Sequence, residues 1–289
     1  MIRSIVSSAV AGLAGFTATK AVLASRLRTD RSVVRTNHAG GEVSLVEGPA
    51  VTAGLLAGGL LIEDPRQRAA TLLVTGTAGA LGAVDDFCES GSSKGLRGHL
   101  SALARGEITT GAIKIIGIPA ASIAAAIILR TGTRRTGLFG LARPDEAASW
   151  AGKACDVVVT GGVIAGSANL FNLLDLRPGR SLKAGLATLA LTDHVRAVSW
   201  APSAAIAGAA AAAAPDDLAG ATMLGDTGAN AVGAAIGTIL AETADPARRR
   251  VILAVLAGLT LASEKVSFTS VIESTPGLRE IDSFGRGDV

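Results

Sequence analysis

Nine apolar stretches, at roughly 5–25, 49–62, 69–84, 111–129, 156–174, 183–192, 197–214, 227–241 and 251–263, alternate with short charged segments along the whole chain. A chain patterned this way favours membrane helices over an ordinary soluble core. Composition points the same way: charged residues make up 18 % of the chain and the apolar set 49 %, before 36 glycines are counted. Soluble domains carry about 25 % charged residues. With a mean hydropathy of +0.46, the expected fold is all-α, a polytopic membrane bundle of about nine transmembrane helices in one domain over 1–289, with a polar tail from 264.

Several stretches are shorter than the roughly 20 residues that cross a bilayer, so they must be extended, tilted or broken. "GTAGALGA" and "GANAVGAAIG" supply small residues that let helix backbones approach closely. The first stretch ends in "VLAS", which a signal peptidase accepts. Four arginines follow at once in "RLRTDRSVVR" while only Arg3 precedes. That bias favours a retained first span with the following loop in the cytosol.

From that start, the loops 26–48, 85–110, 175–182 and 215–226 and the tail fall on one, cytosolic, side. Trp150 and Trp200 fall at the outer ends of spans, where amphipathic rings are favoured. The net charge of +3 comes from Lys and Arg spread over loops, which argues against nucleic acid as a partner. Cys88 and Cys155 form neither a metal pattern nor a disulfide framework.

Three of the same-side segments carry polar groups at the edge of the apolar zone. "GAVDDFCES" brings Asp85 and Asp86, "NLFNLLD" brings Asn169, Asn172 and Asp175, and "MLGDTGAN" brings Asp226. Ionisable groups at membrane depth mark a site by default. Positions 169, 172 and 175 advance by about 300° per step on a helix and share one face. Interhelical hydrogen bonding accounts equally well for the asparagines. Collected acids suit Mg²⁺, which takes one or two carboxylates and shares phosphate oxygens. Asp226 with Asp85 or Asp86 would be enough, and Gly225 and Gly228 would admit a phosphate to the backbone. Lys94, Arg97 and His99, with Arg177, Arg180 and Lys183, are the basic residues of the same loops and candidate phosphate binders.

With "GAVDDFCESGSSKGLRGHL", "NLFNLLD" and "MLGDTGANAVG" in this order, and "RTNHAGGEVSLVEGPA" ahead of them, the chain resembles the polyprenyl-phosphate N-acetylhexosamine-1-phosphate transferases. These include the phospho-N-acetylmuramoyl-pentapeptide and GlcNAc-1-phosphate transferases of cell-envelope synthesis. The resemblance implies an all-helical enzyme of the cytoplasmic membrane. Its partners would be a polyprenyl phosphate lipid and a UDP-activated amino sugar, its cofactor Mg²⁺, and UMP would leave. It further implies Asp226 with Asp86 as metal ligands, Asp85 and Asp86 as catalytic residues, and Asn169, Asn172, Asp175, Lys94, Arg97, Arg177 and Arg180 around the substrates. A homodimer is compatible with such a bundle.

Two features depart from that family. Leu176 stands where members commonly have glycine, and no histidine-rich loop precedes the C-terminus, the histidines being His38, His99 and His194. In its place stands "SEKVSFTSVIESTPGLREIDSFGRGDV", expected to form one helix at most. A non-catalytic relative that binds lipid phosphate or assembles envelope components is the alternative reading, followed by a transporter.

Overall fold

The computed structural model describes residues 2–36, 41–88, 98, 101, 104–106, 109–130, 149–193 and 200–286. Among them, nine helices coincide with the nine apolar stretches. They are α1 (Ile2–Leu23), α2 (Glu47–Gly59), α3 (Pro65–Cys88), α4 (Thr110–Arg130), α5 (Trp150–Leu174), α6 (Arg180–Asp193), α7 (Ala201–Leu218), α8 (Gly225–Thr243) and α9 (Pro246–Ser263). The polar tail holds two further short helices, α10 (Phe268–Ser274) and α11 (Leu278–Ser283), where one at most was expected. Ser267 caps α10 by accepting from the Ser270 N–H at 3.3 Å. A small antiparallel hairpin also forms, β1 (Val34–Thr36) with β2 (Glu42–Ser44).

Among the described residues, three helices are long and apolar enough to cross a membrane: α1 over Ser4–Leu23, α4 and α5. The pair α9 and α10, bent by 97° at its break, makes a fourth if it counts as one span. The remaining helices are shorter or carry more polar residues, and several of these are buried by neighbouring helices instead.

The clearest case is α8, which packs against α2, α3 and α5 and is buried along almost its whole length. Its sequence, GDTGANAVGAAIGTILAET, explains the position. Small side chains on every face let the surrounding helices close in. Two apolar clusters meet there: Val51, Leu55, Phe171, Val232 and Ile236 on one side, and Val74, Ile118, Ile164 and Ala234 on the other.

A second layer, α1 with α7 and α2, packs through alanine and glycine. At Gly208 on α7, an added Cβ would overlap the Gly12 carbonyl of α1. These helices touch backbone to backbone, a geometry that only small residues permit.

Candidate functional site

One end of the bundle gathers described parts of the segments expected to share a side. Ser44 of β2 bridges to Thr222 ahead of α8, its N–H donating to the Ala221 carbonyl at 3.1 Å while Met223 N–H donates back to the Ser44 carbonyl at 3.0 Å. Arg28 pairs with Asp216 at 2.9 Å. The Gly179 N–H donates to Asp217 at 3.0 Å, tying the 175–182 turn to the end of α7. The tail joins them through Arg180 and Asp282. Trp150 and Trp200 lie at the starts of α5 and α7, whose other ends carry Asp175 and Asp217.

Within this end the two aspartates of the double motif do different things. Asp86 turns to the start of α8: its carboxylate accepts from the Asp226 N–H at 3.0 Å, the Thr227 N–H at 2.8 Å and the Thr227 hydroxyl at 2.6 Å. It caps a helix that is distant in sequence, filling the orphan donors of the first turn and placing negative charge at the positive end of the helix dipole. Gly225 makes the turn into α8 with φ +59°, and a side chain there would crowd the Asp86 carboxylate. Gly82, one turn before Asp86, lets α3 approach so closely that a Cβ would overlap the Asp226 carbonyl. Arg35 completes the arrangement, donating to the Asp86 backbone carbonyl at 2.9 Å with its guanidinium 5.8 Å from the Phe87 ring centre.

Asp85 faces α4 and α8. The Lys114 ammonium hydrogen-bonds to both Asp85 and Asp226, bridging α3, α4 and α8. Lys114 is the residue that sequence reasoning passed over. Its signal was present, a single lysine in the apolar run "GAIKIIG", and an ionisable group at membrane depth warrants the same attention as the acids.

Two carboxylates converging on one cation also define where a divalent ion would fit. Among the described residues there is no group of three or more His, Cys, Asp and Glu side chains that could hold a metal ion. Mg²⁺ needs fewer, since it keeps waters and shares phosphate oxygens. Asp85 Oδ1 is buried without a hydrogen-bond partner, so that carboxylate retains a free acceptor. Asp85 and Asp226 therefore fit the ion together, whereas both oxygens of Asp86 are occupied by α8.

More acid lies beneath. Asp175 ends α5 as its C-cap residue, and its Oδ2 is enclosed without a partner. Burial, then the nearby charge of Asp217, pushes the Asp175 carboxyl well above the usual carboxylate range. Burial likewise pushes Asp217 up to about 6, against the Gly179 N–H and the charges of Lys183 and Arg286. Glu47, unflagged by sequence, is wholly buried; one oxygen accepts from the Thr222 hydroxyl at 2.6 Å and the other has no partner.

The remaining predicted residues separate. Asn169 donates across to the Thr260 hydroxyl of α9 at 3.0 Å, an interhelical hydrogen bond. Asn172 is half-buried one turn further along α5, and its carbonyl accepts from the Asp175 N–H. Arg177 pairs with Glu273 at 2.9 Å on the surface, and Arg180 is buried against Asp282. Leu176 is 48 % exposed. Lys94, Arg97 and His99, together with His38 and His194, lie outside the described residues.

No protein-family model and no curated protein matches the chain.

Proposed function

We propose that this chain is a Mg²⁺-dependent phosphosugar transferase of the polyprenyl-phosphate N-acetylhexosamine-1-phosphate type, set in the cytoplasmic membrane with the Asp85–Asp226 end in the cytosol. The observation that carries the reading is the convergence of Asp85, Lys114 and Asp226, from three helices, on one point at one end of the bundle. On this reading the shorter helices also cross the bilayer, giving about nine spans, with α8 shielded from lipid by its neighbours.

In the reaction, an oxygen of the polyprenyl phosphate attacks the sugar-bearing phosphorus of a UDP-amino sugar. A new P–O–P bond joins lipid and sugar phosphate as the bond to UMP breaks. Both reactants are anionic, so the site must offset their repulsion and hold them in line. Mg²⁺ held by Asp85 and Asp226 would supply charge neutralisation at the phosphates. Lys114 adds a fixed positive charge between the same carboxylates and is placed to donate to a phosphate oxygen once one of them turns to the metal. Asp86 orients the start of α8 and so fixes where Asp226 stands. Asp175 and Asn172, at the end of α5, would meet the nucleotide sugar on this reading.

Purified protein in nanodiscs, offered polyprenyl phosphate and a panel of labelled UDP-N-acetylhexosamines, is expected to form a lipid-linked product and UMP only when Mg²⁺ is present. Absence of product across the panel would overturn the proposal.

One observation favours a second reading, a non-catalytic relative that binds lipid phosphate. Arg177, Arg180 and Lys183 are all engaged by the tail. Asp226→Asn separates the two: a catalyst loses its function in cells, and a scaffold keeps it.

A further inference from the structure

The tail from 264 to 286 is held to the bundle more by charge than by apolar packing. No residue of α10 is buried, and in α11 only Asp282 is. Most of its large apolar side chains face outward, with Ile281 64 % and Phe284 78 % exposed, while Phe268 and Ile272 are half-buried. What fastens it is chiefly a set of cations around one carboxylate, beside an exposed pair of Arg177 with Glu273 at 2.9 Å. Arg180 grips Asp282 with two parallel bonds, Nε to Oδ1 at 2.7 Å and Nη2 to Oδ2 at 3.0 Å, and its third nitrogen donates to the Thr269 hydroxyl at 3.0 Å. Arg286 donates to the same Oδ2 at 2.9 Å. Lys183 reaches the carbonyls of Ile281, Asp282 and Phe284.

Both members of the central pair are buried, Arg180 at 5 % and Asp282 at 7 % exposure. A guanidinium fork accepts carboxylate and phosphate oxygens with the same bidentate geometry, and phosphate carries more charge. Arg180 and Lys183 also sit in the first turn of the 14-residue α6, where the helix dipole favours an anion. A segment with little apolar anchorage, seated chiefly by one buried carboxylate in a site suited to phosphate, is a displaceable occupant.

We propose that Arg180 and Lys183 form a phosphate-binding site whose resident anion is the chain's own Asp282, and that a phosphate or diphosphate group entering this site releases the C-terminal segment, which takes Arg286 with it. The inference goes beyond the transferase reading and does not need it. The same chemistry is presented by a soluble diphosphate and by a lipid headgroup, and the test separates these sources.

A nitroxide label at Phe284→Cys, in a Cys88→Ser/Cys155→Ser background, reports the segment's mobility in full-length protein. In phosphatidylcholine nanodiscs the label is expected to be immobile, and millimolar inorganic pyrophosphate is expected to free it. Release in phosphatidylglycerol nanodiscs without pyrophosphate would assign the site to lipid headgroups. Failure of both to mobilise the label overturns the proposal. Pyrophosphate binding by calorimetry gives an independent readout. Where the docked form outnumbers the open one by ten to one, Asp282→Asn is expected to raise apparent affinity about tenfold. Adding Arg180→Gln to that variant is expected to abolish binding. Equal affinity in the wild type and Asp282→Asn would show that Asp282 does not occupy the site, and would sink the idea.

Discussion

Asp86 caps the helix that presents Asp226: the backbone N–H groups of Asp226 and Thr227 both point into the Asp86 carboxylate, at 3.0 and 2.8 Å. Two acids sharing a site would repel. Here one acid instead anchors the backbone on which the other rides, so the double aspartate divides into Asp86 as helix anchor and Asp85 as the group facing Lys114.

That division predicts a graded effect. Asp86→Asn keeps one acceptor oxygen for the first turn of α8 but loses the charge and the second acceptor, whereas Asp86→Ala leaves two backbone donors and a hydroxyl unpaired. Losing a cap costs about 0.5–2 kcal/mol, and leaving a buried donor unsatisfied adds about 1–3 kcal/mol. The thermal midpoint in detergent should fall in the order wild type, Asn, Ala. Equal midpoints for Asn and Ala would count against the capping role.

How much of this could be read beforehand follows from the range over which each feature acts. Helix positions depend on local apolar patterning, and all nine apolar stretches coincide with helices among the described residues. Loop grouping was also legible, because counting alternate helices from Arg26 to the tail puts the polar segments together. Lys114 was not, since its meaning depends on Asp85 and Asp226, which lie 29 and 112 residues away. The role of Asp282 was hidden for the same reason. It reads as a tail charge until Arg180 is found facing it, 102 residues earlier.

Lys114 gives the second prediction. Removing one member of a buried charge group leaves the others uncompensated, at a cost of about 3–5 kcal/mol. Lys114→Met should therefore destabilise the protein strongly in EDTA, with Asp85 and Asp226 left facing each other. Mg²⁺ would take the vacated position, so the midpoint of Lys114→Met should rise with added Mg²⁺ by more than that of the wild type. A variant whose midpoint is indifferent to Mg²⁺ would argue that these carboxylates do not hold the ion.

The small-residue packing makes a third. Gly82→Ala drives a methyl into the Asp226 carbonyl and should separate α3 from α8, disturbing stability and site together. Overpacking of this kind costs about 1–3 kcal/mol. Gly258 of α9 has nothing within 4 Å of an added Cβ, and there alanine should stabilise by about 0.5–1 kcal/mol through helix propensity. Paired thermal unfolding of the two variants checks both signs.

The fourth concerns pH, where two acids at the same end act oppositely. Burial raises Asp282, but its hydrogen bonds from Arg180 and Arg286 outweigh this and hold it below its ordinary value of 3.8. A depressed acid contributes stability that is present above the unfolded value and lost as pH falls through the folded one, so tail docking should persist down to about pH 4 and fail below it. Asp217 is raised to about 6 from 3.8, chiefly by burial. Its contribution is complete below 3.8 and is lost as pH rises through about 6, because ionising it inside the fold is unfavourable. Between pH 4 and 7 the thermal midpoint should therefore carry a declining component that disappears in Asp217→Asn, which still offers an oxygen to the Gly179 N–H. Over the same interval the mobility of a label at Phe284→Cys should not change. A midpoint profile identical in wild type and Asp217→Asn would show that Asp217 is not the group responsible, and a tail that loosens between pH 5 and 7 would place its fastening elsewhere than on the Arg180–Asp282 pair.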